Sequence, residues 1–237
     1  MKKKGIALVE RQYLFPFVLI TSLFFLWGFA HAILDVLNKH FQELLTITRT
    51  HSAMIQATMY MGYFIMAIPA GLFINRHGYR KGVVLGLLLY GIGSLLFIPG
   101  QYIASFNMFL FSLFVIGCGL TFLETAANPY VTELGARETA ASRLNFAQSF
   151  NGLGCIFAPI LTGLLLFSDE DKGASGNVAL PYAVMGVIVL LAALAFMRVR
   201  LPEIPHEEEV DSEGHRVGLW AQKLFVFGLV ALFAYEV

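Results

Sequence analysis

Apolar residues fall into six long runs, each close to the roughly 20 residues that cross a hydrocarbon core as a helix. They lie at about Leu14–Leu37, Ala53–Ile74, Val83–Gln101, Met108–Asn128, Phe146–Phe167 and Leu180–Met197. A seventh run begins near Leu219 and continues to Val237. None shows the strict apolar–polar alternation of a membrane strand, so the pattern predicts helices. The first run follows Lys2, Lys3 and Lys4, as the core of a signal peptide would. Its apolar stretch far exceeds the 7–15 residues of such a core, which predicts a retained transmembrane helix.

Composition agrees with the pattern. Of 237 residues, 57% are hydrophobic, 22 are Phe and only 14% are charged, against about 25% charged in soluble domains. The chain is expected to be all-α and integral to the membrane, with the lipid bilayer as its solvent. Net charge is zero, and no nucleic-acid partner is expected. The distribution of charge is more informative. Of the 16 basic residues, 13 flank the N-terminus, the loops after the second and fourth runs, and the segment after the sixth; only Lys39, Arg49 and Lys172 lie on the other side. Basic residues favour the cytoplasmic side, so the N-terminus is expected to be cytoplasmic. The two cysteines, Cys118 and Cys155, sit within apolar runs and read as packing residues, not as a disulfide or metal pair.

The stretch RLPEIPHEEEVDSEGHR, from Arg200 to Arg216, is the one clear linker. It divides the chain into a six-helix membrane domain at 1–199, a cytoplasmic connector at 200–218 and a further membrane segment at 219–237. The seventh run lacks a polar tail, and reads as the cut-off start of more membrane structure.

Acidic residues within or beside the apolar runs are restricted to Asp35, Glu124 and Glu236. A charge at the bilayer centre costs at least about 2.5–3.5 kcal/mol, so such groups face a bundle interior or an aqueous cavity. Asp35 lies in the outer part of the first span, unless the helix runs on past Asn38, which the mixed sequence through Phe41 allows; His31 precedes it by one turn on the same face. A His and an Asp so placed can share a proton, although a histidine lining a core is the plainer alternative. In the fourth run Asn128 shares the face of Glu124, and Pro129 is expected to bend or end the helix. Asn145, Gln148 and Asn151 recur every third residue in the fifth run, and amides in a membrane need partners in the protein or in a polar ligand. Trp27, Tyr60 and Tyr63 supply rings that either pack or stack on a sugar face. A carboxylate and amides for hydroxyls, with aromatic rings for stacking, suit a carbohydrate.

The loop GLFINRHGYRKG, from Gly71 to Gly82, resembles the signature loop of the major facilitator superfamily. The resemblance implies a closely packed Gly71, an acidic residue where Asn75 stands, Arg76, the turn glycine Gly78, and basic residues at Arg80 and Lys81. Asn75 departs from the pattern. The segments FFLWGFAHAILD, QATMYMGYFIMAIPAG, LETAANP and LNFAQSFNGLG are similar to the fucose:proton symporter and glucose/galactose transporter family within that superfamily. This implies the six-helix N-terminal half of a 6+6 transporter, plus a partial seventh helix, in a bacterial inner membrane. It implies a monosaccharide substrate, alternating access and a partner C-terminal six-helix half. By resemblance Asp35 is the proton-coupling aspartate, Glu124 couples and recognises sugar, and Gln148 and Asn151 line the sugar site. His31 and Ala32 replace asparagines of the fucose transporter, which leaves the sugar open among fucose, glucose and galactose.

No cofactor is expected beyond the coupling ion, the proton, with sodium as the competing choice. Neither an HExxH nor a GxSxG motif, nor a phosphate-binding loop, occurs, so enzymatic and ATP-driven readings are set aside. The alternative is a sugar-binding or half-transporter membrane protein that does not transport, should the native chain end at 237.

Overall fold

Long helices with short connections follow directly from the apolar runs, because in lipid each backbone N–H and C=O must be satisfied within the chain. The computed structural model describes residues 8–44, 49–103, 105–167, 179–199 and 223–236. Eight α-helices are described: α1 (Leu14–Leu44), α2 (Arg49–His77), α3 (Tyr79–Leu95), α4 (Phe97–Ile103), α5 (Phe106–Glu133), α6 (Ala140–Phe167), α7 (Ala179–Arg198) and α8 (Lys223–Glu236). Short 3-10 turns precede α1 (Arg11–Tyr13) and α6 (Arg137–Thr139). The chain divides into two units, 1–204 and 205–237, and α8 belongs to the second.

The boundaries refine the expectation. Helix α1 runs to Leu44, past Asn38 as the mixed sequence through Phe41 allows, which carries Asp35 well inside it. The third apolar run is interrupted at Leu96 into α3 and α4, where Pro99 and Gly100 follow. Pro129 does not end α5, which continues a further turn to Glu133; Pro69 and Pro159 likewise lie inside α2 and α6. Neighbouring helices can absorb the backbone hydrogen bond a proline removes from a membrane helix. Five described helical spans are long and apolar enough to cross a membrane: 11–34, 53–77, 79–103, 106–133 and 179–198. Helix α6 has the length, 28 residues, and its sequence from Phe150 to Phe167 is predominantly apolar.

Within the first unit α1 packs chiefly on α6, α5 on α2 and α3, and α3 on α7. Small residues mark these seams. A Cβ on Gly86 of α3 would lie 2.8 Å from the carbonyl of Gly119 in α5. On α6, a Cβ on Gly154 would strike the carbonyl of Phe25 and lie 2.8 Å from the amide of Phe29, both on α1. Lipid tails are as apolar as Leu, so close backbone approach and dispersion, not hydrophobic exclusion, hold such helices together. Around the seams Ile20, Leu23, Phe24, Leu87, Tyr90, Leu120 and Tyr130 are buried. The opposite faces are apolar and exposed, with Phe64 at 85% and Ile68 at 74% exposure on α2, as lipid- or helix-facing surfaces require.

The signature loop is almost entirely helical. Gly78, with φ 85°, is the single residue between α2 and α3, and its left-handed backbone is one that glycine adopts without strain. Arg80, in the first turn of α3, donates from Nε to the carbonyl of Phe196 at 3.2 Å and from Nη2 to that of Met197. A guanidinium thus satisfies orphan carbonyls at the C-terminus of α7, where positive charge is also favoured. Asn75, Arg76 and Lys81 are exposed. The close packing expected at Gly71 is not found among the described residues: a Cβ there meets nothing within 4 Å, because Gly71 lies on the open face of α2 while Ala70 and Ile74 beside it are buried.

Candidate functional site

Helical spacing puts Trp27 and His31 on one face of α1, four residues apart, and Tyr60 and Tyr63 on one face of α2. The structure brings these faces together. The indole N–H of Trp27 donates to the hydroxyl of Tyr63 at 3.0 Å, and Nε2 of His31 lies 3.1 Å from that same oxygen. The four rings form a cluster: His31 is 5.9 Å from Trp27, 5.9 Å from Tyr63 and 6.4 Å from Tyr60, centroid to centroid. Tyr60 is exposed; Trp27, His31 and Tyr63 are half-buried.

Trp27 also reaches α5. With Glu124 and Asn128 it lines a narrow crevice of about 10 Å³, together with Leu23, Phe24, Leu123 and Ala127. Glu124 is half-buried. No hydrogen bond joins it to Asn128 among the described residues. The Oδ1 atom of Asn128 is buried with no hydrogen-bond partner there. A buried amide oxygen in that state is costly unless something supplies a donor. Trp27 is therefore the residue common to the aromatic cluster and to the carboxylate–amide pair.

Helix α6 flanks this region from the other side of α1. The backbone of Asn151 lies against Gly28, the neighbour of Trp27, so closely that any side chain at position 28 would collide with it. Asn151 and Gln148 are half-buried, whereas Asn145 is exposed. Asp35 follows His31 by one turn of α1, but its side chain lies outside the described residues. The expected group thus divides: Trp27, His31, Tyr63, Glu124 and Asn128 come together, the helix carrying Gln148 and Asn151 packs alongside, and Asn145 stands at the surface.

Two arrangements were missed in the sequence. Tyr63, read there as a stacking or packing ring, is the hydrogen-bonding hub between α1 and α2. Arg143, read there as a loop charge, is completely buried. Its guanidinium donates to the carbonyls of Val131 (3.0 Å), Ala136 (3.0 Å), Leu8 (3.3 Å) and Thr132, and to the hydroxyl of Thr139 (2.6 Å). It closes the C-terminus of α5 and holds the chain before α1 against the α5–α6 connection. An arginine just ahead of an apolar run, three residues before its start, is the only trace of this in the sequence.

Among the described residues, no group of three or more His, Cys, Asp or Glu is placed to hold a metal ion.

Comparison with known proteins places the chain. The glucose/galactose transporter of Brucella abortus biovar 1 (strain 9-941) is 36% identical over 230 residues, 95% of this chain and 56% of that one. The L-fucose-proton symporter of Escherichia coli (strain K12) is 37% identical, over 86% of this chain and 51% of that one. A crystal structure of a transporter of that kind in the outward conformation superposes with a TM-score of 0.69 at 35% identity, covering 93% of this chain and 56% of the other. The chain spans about half the length of the relatives it matches. The Major Facilitator Superfamily model matches residues 17–236. This multi-pass helical membrane protein belongs to the major facilitator superfamily.

Proposed function

We propose that this chain forms the N-terminal half of a secondary active transporter that carries a monosaccharide together with protons. The observation that carries the reading is the position of Trp27. It touches an imidazole and a phenol on one side, and a half-buried carboxylate with a buried, unpartnered amide oxygen on the other. Rings that stack on a sugar face, with charged and amide groups for its hydroxyls, are the chemistry of a carbohydrate site. The names of the relatives, a fucose–proton symporter and a glucose/galactose transporter, support it.

In this reading Glu124 and Asn128 hold sugar hydroxyls, with Gln148 and Asn151 adding contacts from α6. Asn145, which is exposed, is the weakest member of that set. Asp35, Glu124 and His31 take up the coupled proton. Neutralising a carboxylate lowers the cost of holding it in a water-excluded state, so a proton and a sugar together favour occlusion. A second six-helix half completes the site, and rocking of one half against the other exposes it alternately to the two sides. The protein then sits in a bacterial inner membrane with its N-terminus in the cytoplasm, in keeping with its basic loops.

The test is uptake of labelled fucose, glucose and galactose by membrane vesicles under an imposed pH gradient. Accumulation of one sugar is expected, collapsing when the gradient is dissipated and lost in Asp35→Asn. Accumulation driven by a sodium gradient at constant pH would replace the proton with sodium. Absence of accumulation of all three under either gradient would overturn the reading.

A further inference from the structure

The hydroxyl of Tyr63 has one hydrogen and two lone pairs, and its surroundings constrain all three. An indole N–H can only donate, so Trp27 occupies one lone pair. When His31 is neutral with its proton on Nδ1, the tautomer this switch requires, the phenol hydrogen is directed to the bare Nε2 across the 3.1 Å contact. When Nε2 carries a proton, that N–H takes the second lone pair instead. The phenol hydrogen must then leave the Trp27–His31 plane. Glu124 on α5 lines a crevice with Trp27, the residue that donates to this same hydroxyl. The two states of one imidazole on α1 thus correspond to two orientations of one O–H dipole beside the carboxylate on α5.

We propose that Tyr63 is a positioning residue that couples the protonation of His31 to the field at Glu124, through the one hydroxyl that Trp27 and His31 share. This deepens the symport reading and rests on it for its physiological use, but not for its test. Among the described residues, helix α2 brings Tyr60 and Tyr63 to His31, and α5 brings Glu124 to the crevice lined by Trp27; Tyr90 of α3 donates to the carbonyl of Leu26, the neighbour of Trp27. Helix α6 contributes no acid or imidazole, and its Cys155 Sγ lies 3.5 Å from the carbonyl of Gly28. Asp35 follows one turn along α1. No proton is created or lost in the switch: the one His31 gains comes from solvent, and the phenol only reorients.

The experiment uses indole fluorescence, because an imidazolium quenches an adjacent indole and His31 meets Trp27 edge-on at 5.9 Å. The chain holds two tryptophans, so Trp220→Phe leaves Trp27 as the only indole in this chain; indoles in the partner half are replaced in the same way. In the purified full-length protein in lipid nanodiscs, emission is expected to fall between about pH 8 and pH 5, the range of an imidazole. His31→Gln should abolish the fall. Tyr63→Phe keeps the ring and removes the hydroxyl, and should displace the midpoint by about half a unit to one unit, the size of one net hydrogen bond. Tyr60→Phe, whose ring lies 6.4 Å from His31 but which has no hydrogen bond to Trp27 among the described residues, should leave the midpoint in place. An unchanged midpoint in Tyr63→Phe overturns the proposal, as does an equal displacement in Tyr60→Phe or a signal that does not depend on His31. Loss of sugar accumulation with this fluorescence pattern intact would count against symport alone.

Discussion

The guanidinium of Arg80, one residue beyond the first position of α3, donates to the carbonyl of Phe196 in the last turn of α7 at 3.2 Å. These residues are 116 apart in sequence, and the bond fixes the C-terminal end of α7 to the start of α3. Arg80→Ala should lower thermal stability by about 1 kcal/mol, the net value of a charge-assisted bond at a partly exposed helix end. Arg80→Lys should recover part of it, since the charge remains but the planar fork does not. Melting curves of the purified variants in detergent decide the matter, and equal midpoints for Ala and wild type would exclude the cap.

Arg143 should matter more. It is fully buried and bonded to five acceptors on α5, the α5–α6 connection and the chain before α1. Arg143→Met leaves those acceptors without donors, at a cost of about 3 kcal/mol or more. Arg143→Lys should rescue little, because one ammonium cannot span the fan of carbonyls. The expected result is a sharp fall in monodisperse protein, with faster tryptic cleavage at Arg11 in whatever survives. Wild-type yield and an unchanged cleavage rate in Arg143→Met would refute this role.

The contrast between these two arginines shows how far the fold was legible. The spans were readable, because a helix in lipid needs a run of about 20 apolar residues and little else does. Their ends were less so: α1 continues past Leu37 to Leu44 through a mixed segment, and α5 passes through Pro129. Periodicity says which residues share a face, as with Trp27 and His31 or Glu124 and Asn128. It does not say which face of another helix will oppose them. The Trp27–Tyr63 bond joins residues 36 apart, and only the crossing of α1 and α2 creates it. Arg143 counted as a loop charge because four of its five acceptors are backbone carbonyls, which every sequence has and none displays. Gly71 failed for a related reason: a glycine permits close packing but does not specify the neighbour.

Glycine substitutions on α6 provide an internal control for helix packing. A Cβ on Gly154 would run into the backbone of Phe25 and Phe29 on α1, whereas one on Gly152 or Gly163 meets nothing within 4 Å. Gly154→Ala should therefore destabilise by about 1–3 kcal/mol as α1 and α6 are forced apart. Gly152→Ala should be neutral or slightly stabilising, since alanine is the better helix former. The thermal midpoints of the two variants, measured side by side, should differ in that direction; a tolerated Gly154→Ala would mean that this seam is looser than the structure has it.

The site itself makes a graded prediction. Glu124 and Asn128 share the crevice with Trp27, and the Asn128 Oδ1 is buried without a partner among the described residues. Glu124→Gln keeps the size and one acceptor but removes the charge. A bond to a charged group is worth about 1.5–3 kcal/mol, so sugar affinity should fall roughly 10- to 100-fold. Asn128→Ala removes a neutral contact worth about 0.5–1.5 kcal/mol, a loss of roughly tenfold or less. Asn145→Ala should change affinity little, since that side chain is exposed. Calorimetric titration of the purified full-length variants with whichever sugar is accumulated measures all three. The order Glu124, then Asn128, then Asn145 follows from charge and burial alone. An Asn145 variant that loses as much affinity as the Glu124 variant would move the site away from α5, toward the open face of α6.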